Sequence, residues 1–183
     1  RPGARIDLLT SLAYQRAQSG LPDAALEALE AARALLSAHG TTVQAGEVEL
    51  VRGEIARTAG DLDTAERAYE AALAVAERYY TSSQPALAVN LAMVRIERGD
   101  IERARTGFAA GLERGRHIPV VCLVALSGLI WIAARSGESV VPWLDALEAL
   151  PDSIRDPDAS RMLTAASAAL ENPQMCARLA RRA

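Results

Sequence analysis

One short pattern recurs along the chain: Gly20-Leu-Pro-Asp-Ala-Ala25, Gly60-Asp-Leu-Asp-Thr-Ala65 and Gly99-Asp-Ile-Glu-Arg-Ala104. A looser copy begins at Gly137 and a degenerate one at Asn172. The four glycines stand 40, 39 and 38 residues apart, and Asn172 lies 35 further on. Self-similarity at such a period marks a stacked array of one supersecondary unit, in which each copy buries its apolar face only against its neighbours.

Apolar residues recur at i, i+3, i+4 and i+7, the period of a helix with one buried face. The pattern breaks where Gly, Pro or Asp cluster. This spacing predicts paired helices at 4–18 with 22–38, 43–58 with 62–79, and 84–98 with 101–115. Two further pairs follow, 118–135 with 141–150 and 157–170 with 173–182. Half of the residues are hydrophobic but only 4% are aromatic, and much of the apolar share is alanine. Such a composition favours close helix packing over sheet. Within the motif, Gly20, Gly60 and Gly99 suit the left-handed residue that ends a helix. Asp61 and Asp100 suit the positive N-terminal end of the next one. Ala25, Ala65 and Ala104 fall where the two helices of a pair should cross most closely.

These units resemble tetratricopeptide repeats (TPRs). The second matches through Gly53, Gly60-Asp61, Ala65, Tyr69 and Ala72. The third matches through Leu91, Ala92, Gly99-Asp100, Ala104, Phe108 and Gly111, and the first through Leu12, Ala13, Gly20, Ala25, Leu29 and Ala32. In the fourth, Pro142 replaces the alanine of the second helix, which predicts a shortened, shifted helix there. In the fifth, Asn172-Pro173 replaces the Gly-Asp turn and reads as N-cap and first helical residue, with Ala177 retained. The family's period is about 34 residues, so the helices here are longer than usual. The resemblance implies an all-α fold, a right-handed α/α solenoid of four to five TPR-like helical hairpins. The units would be 4–38, 43–79, 84–115, 118–150 and a degenerate 157–183. Position 1 is Arg, and the last helix runs to Ala183 with no stop signal, so a piece of a larger protein is expected.

In this family the first helix of each pair lines a concave groove that holds a partner segment. Transferred position by position, the resemblance implies a groove containing Tyr14, Leu50, Glu54, Arg57, Val89, Asn90, Met93, Ile96 and Trp131. It would be polar and acidic at the N-terminal end and apolar at the C-terminal end. Asn90 could bond a peptide backbone through both donor and acceptor, or could serve an interhelical bond. The C-terminal apolar residues could equally be covered by following helices. Lengthened repeats of this kind resemble those of large bacterial signalling and transcription-regulatory proteins. The implied function is a non-catalytic scaffold that binds a protein or peptide. The alternatives are a ligand- or peptide-sensing regulatory domain, or a self-association or intramolecular module attached to a kinase or ATPase domain. A homo-oligomer is compatible with either.

Composition removes several classes. All 20 basic residues are Arg. This segment therefore offers no P-loop lysine and no amine for Schiff-base chemistry. Chaperone-binding members of the family clamp a C-terminal carboxylate with Lys, Asn and Arg. Here the matching positions are Thr10, Tyr14, Val51, Ala86 and Asn90, of which only Asn90 suits, so no clamp is expected. Net charge is −3, without the basic excess that holds a nucleic-acid backbone. His39 and His117 sit at predicted helix ends, far from one another and from any ligand set. No catalytic residue, metal or cofactor is expected. The arginines from Arg95 to Arg116 alternate with Glu97, Glu102 and Glu113, which predicts a solvated, ion-paired face. The apolar run 118–134 is interrupted by Pro119, Ser127 and Gly128 and reads as a buried helix, with no membrane contact. Cys122 and Cys176 lack a CxxC partner and are expected to be free and buried, in a cytoplasmic setting.

Overall fold

The computed structural model describes residues 1–79 and 81–183. Among them are ten α-helices and no strand. They are α1 (Pro2–Gln18), α2 (Pro22–His39), α3 (Thr42–Thr58), α4 (Leu62–Tyr79), α5 (Gln84–Glu97), α6 (Ile101–Arg114), α7 (Pro119–Ser136), α8 (Val141–Glu148), α9 (Pro157–Ala169) and α10 (Pro173–Ala180). Helices α1/α2, α3/α4 and α5/α6 pack as hairpins, and each hairpin packs on the next.

Local chemistry explains the boundaries. Gly20, Gly60, Gly99 and Gly137 adopt φ of 73°, 79°, 82° and 70°, the left-handed region that only glycine enters without strain. At Gly60 the turn closes with Gly60 N–H donating to Arg57 O (3.0 Å) and Asp61 N–H donating to Ala56 O (2.9 Å). These bonds satisfy carbonyls that the end of α3 would leave orphaned. Asp61 and Asp100 then accept from the backbone N–H groups of Thr64 and Arg103. Thr41 and Gln44 form a reciprocal capping box at the start of α3. Asn172 accepts from the N–H groups of Gln174 and Met175 and starts α10 at Pro173.

Small residues set the packing distances. Ala25, Ala65 and Ala104 are fully buried. Tyr69 on α4 is fully buried, and a Cβ placed at Gly53 on α3 would lie 2.8 Å from its ring. Phe108 on α6 is likewise buried, against Gly128 on α7, where a Cβ would meet the ring at 2.4 Å. Interior packing at crystal-like density leaves no slack for such an atom. Outside, ion pairs cross between elements: Arg95 with Glu66 and Glu70, Arg105 with Glu138, and Arg114 with Glu77. The ion-paired face is present, but these arginines choose carboxylates on α4 and in the α7–α8 connection rather than Glu97, Glu102 and Glu113 beside them in sequence. An arginine reaches across an interhelical groove as readily as along its own helix.

The C-terminal third departs from the repeat. Helix α7 is long and apolar enough by composition to cross a membrane, yet 72% of it is buried inside the fold. It supplies the centre of the largest core cluster, together with residues of α5, α6, α8 and α9. Helix α8 has Pro142 in its first turn and only 8 residues. It ends where the Arg182 guanidinium donates to the carbonyls of Glu148 and Leu150, so the cation that suits a helix C-terminus comes from the neighbouring chain end. Helix α9 packs on α7 rather than extending the array from α8. Cys122 is buried and Cys176 half-buried, and both are free. The expectation that both are buried therefore fails for Cys176, which lies on the outermost helix, α10.

Candidate functional site: the face of α1, α3 and α5

Parallel placement of α1, α3 and α5 brings residues one helical turn apart onto a common face. Tyr14 and Thr10 come from α1, Leu50 and Val51 from α3, and Ala86 and Asn90 from α5. Together with Ser11, Gln15 and Glu47 they line a hollow of about 410 Å³. A smaller recess of about 120 Å³ continues it toward the N-terminus. This recess shares Thr10, Ser11 and Glu47 and adds Ile6, Asp7 and Gln44. Tyr14 is 40% exposed although large and aromatic. Thr10 is buried, and its hydroxyl is spent on the Ile6 carbonyl at 2.8 Å.

Beside the hollow runs a polar network. Glu54 on α3 is only 4% exposed. Its carboxylate accepts from the Tyr69 hydroxyl (2.5 Å), Gln18 Nε2 (2.8 Å) and Arg57 Nη2 (3.3 Å). A buried charge is tolerated only with such partners. Arg57 also pairs with Glu97 at the end of α5 (3.5 Å) and with Asp158 in the first turn of α9 (3.2 Å). Burial works against the Arg57 charge, but Glu54 and Asp158 outweigh it and hold the guanidinium pKa above its ordinary value. Burial, reinforced by Glu54, pushes the Tyr69 hydroxyl far up, so it remains a donor. The Tyr14 hydroxyl is raised by burial and then by the charges of Glu54 and Asp156. Asp156 caps α9. The Arg57–Asp158 pair brings the first turn of α9 against the end of α3.

Three of the residues implied by the resemblance, Tyr14, Leu50 and Asn90, therefore meet in one hollow. Glu54 and Arg57 form the network next to it. The expected apolar end of the groove needs correction. Val89 and Met93 are 3% and 5% exposed. The Val89 side chain lies where a Cβ at Gly111 on α6 would come within 2.4 Å of it. It thus points into its own hairpin. Met93 belongs to the core cluster that contains α7 and α9. Ile96 is half-buried against that cluster, and Trp131 is half-buried with the Arg135 guanidinium 5.0 Å from its ring centroid. Val89 is taken up by its own hairpin and Met93 by the α7 cluster, with Ile96 and Trp131 half-buried against it, so these four offer no open apolar groove. Among the residues the sequence reading missed, Asp156 carries the signal of a cap before Pro157, whereas the pairing of Asp158 with Arg57 has no local signal.

Among the described residues no group of three or more His, Cys, Asp or Glu is arranged to hold a metal ion. A hollow of about 460 Å³ near the C-terminus is lined by Glu148, Asp152 and four arginines. Three of those arginines, Arg178, Arg181 and Arg182, are ion-paired, and Arg155 donates to the Asp152 and Ile154 carbonyls.

No protein-family model matches the sequence, and no curated protein does. Solved structures do match in shape. The nearly identical TPR-like repeats of a Podosopora anserina kinesin light chain-like protein superpose with a TM-score of 0.71 at 17% identity. That match covers 100% of this chain and 94% of the other. BtubC (BKLC) from P. vanneervenii superposes with a TM-score of 0.72 at 17% identity, covering 100% of this chain and 77% of the other. The fold is a TPR-like helical-repeat solenoid. In this TPR-like frame the hollow lies on the face of the first helices of consecutive hairpins.

Proposed function

We propose that this chain is a protein-interaction scaffold that seats a segment of a partner protein in the hollow between α1, α3 and α5. One observation carries the reading. Three successive hairpins each contribute to a single concavity that combines an exposed aromatic ring, Tyr14, an aliphatic floor, Leu50 and Val51, and an amide, Asn90. An exposed aromatic beside apolar side chains supplies contact area at small entropic cost, and buried aromatics are the commonest anchors of interfaces. Asn90 accepts and donates, which suits the main chain of an extended peptide. The reading assigns no catalytic role to this segment. A signalling or transcription-regulatory parent protein in a bacterial cytoplasm is the setting proposed for it, by analogy with other long repeats.

Selection of displayed random peptides on the protein tests this function. Tyr14→Ala and Asn90→Ala, each checked by circular dichroism for an unchanged fold, serve as controls. Peptides that bind wild type and lose most of their affinity for both variants support the groove. Peptides that bind all three proteins alike place the docking surface elsewhere.

A further inference from the structure

We infer that the segment seated in this groove is cationic, with Lys or Arg side chains directed at Asp7 and Glu47. This rests on the docking reading above and goes beyond it by naming the chemistry of the partner. Every charged residue that lines the two connected recesses is acidic. Most carboxylates elsewhere on the helix faces are matched by an arginine of a neighbouring turn or helix. Asp7 and Glu47 are not: among the described residues their contacts are neutral, Gln44 Nε2 donating to Asp7 (2.7 Å) and the Ser83 hydroxyl to Glu47 (3.3 Å). At the far end of the same face Arg57 faces Glu54, Glu97 and Asp158, the last of which also pairs with Arg161. A concave surface lined by one sign of charge focuses its field and draws in the opposite sign. The apolar patch between the two ends would take a side chain of the same segment.

The geometry also sets how the charges are met. Asp7 and Glu47 lie at the N-terminal recess, and the Arg57 cluster, joined by Asp158 of α9, lies beyond the other end. A bound segment therefore places its positive charge at the N-terminal recess.

The test selects displayed random peptides on wild type and on the charge-reversed Asp7→Arg/Glu47→Arg variant, both as the whole 183-residue chain. The affinity of the leading wild-type peptide is then measured by fluorescence anisotropy. The expected result is enrichment of Lys and Arg on wild type and its loss on the reversed variant. The leading peptide should bind Asp7→Asn/Glu47→Gln about 3- to 30-fold more weakly, the range for two partly exposed ion pairs. Added salt should narrow that difference. Neutral or acidic peptides on wild type, or cationic peptides indifferent to both double variants, overturn the inference. If such peptides still depend on Tyr14 and Asn90, the groove stands and only the charge assignment falls. If they do not, both fall. Binding only between copies of this chain, seen as a dimer that the peptides fail to displace, also overturns it.

Discussion

Replacing Arg57 with alanine should both destabilise the protein and release α9. The side chain is 14% exposed and faces three carboxylates. Glu54 is the critical one: it is 4% exposed and Arg57 is its sole cationic partner among the described residues. Removing one member of a buried pair costs about 3–5 kcal/mol, because the other charge stays desolvated. Two features reduce that figure here. Glu54 keeps the Tyr69 and Gln18 bonds, and Glu97 and Asp158 are 30% and 23% exposed, so solvent screens their share. A loss of about 2–3 kcal/mol remains. For a domain of this length each kcal/mol shifts Tm by about 2–4 °C, so a fall of about 4–12 °C is expected by calorimetry. Arg57→Ala/Glu54→Gln should recover about half of it, since the stranded charge is gone. Hydrogen exchange adds a spatial readout: amides of α9 should exchange faster in Arg57→Ala, while those of α4 hold their protection. A Tm within about 2 °C of wild type, with unaltered exchange in α9, would refute both the energetic argument and the pinning of α9 by this arginine.

Three further outcomes follow from packing and turn geometry. Tyr69→Ala and Phe108→Ala should each cost about 3–5 kcal/mol in urea denaturation, as expected for fully buried rings; an unchanged midpoint for either would contradict its place in the core. Gly128→Ala should cost about 1–3 kcal/mol through collision with the Phe108 ring, and Phe108→Leu should relieve part of that in a double-mutant cycle; strict additivity would show the contact to be absent. Gly60→Ala meets no atom within 4 Å and should still cost about 1–2 kcal/mol because its φ of 79° is left-handed. A non-glycine residue that tolerates that region, as in Gly60→Asn, should cost less, and the reverse order would refute the conformational explanation.

The chain's own periodicity determined its helices. Glycine at a helix end, an acidic cap and an alanine at the crossing act over a single turn, so Gly60, Asp61 and Ala65 announce themselves in any context. Tyr69 and Phe108 were legible as core for the same reason, since the repeat places them at one position of the second helix. The groove was half legible. Tyr14, Leu50 and Asn90 follow from the resemblance, which supplies the groove positions, together with helical register, which fixes the face a residue takes relative to its own hairpin. Val89 and Met93 illustrate the limit. They lie within one turn of Asn90, and a rotation of about 100° per residue separates an open groove from the interior of the hairpin. Only the packing of Gly111 on α6 against Val89, and of the α7 cluster around Met93, decided which they took. The docking of α9 was not legible either. The sequence determined that a helix begins at Pro157 after the Asp156 cap. That it turns back to lie on α7 and pair with Arg57, rather than continue the array, depends on the shortness of α8 and on which apolar surface remained uncovered. Those are properties of the assembled hairpins, and no local signal in the chain encodes them.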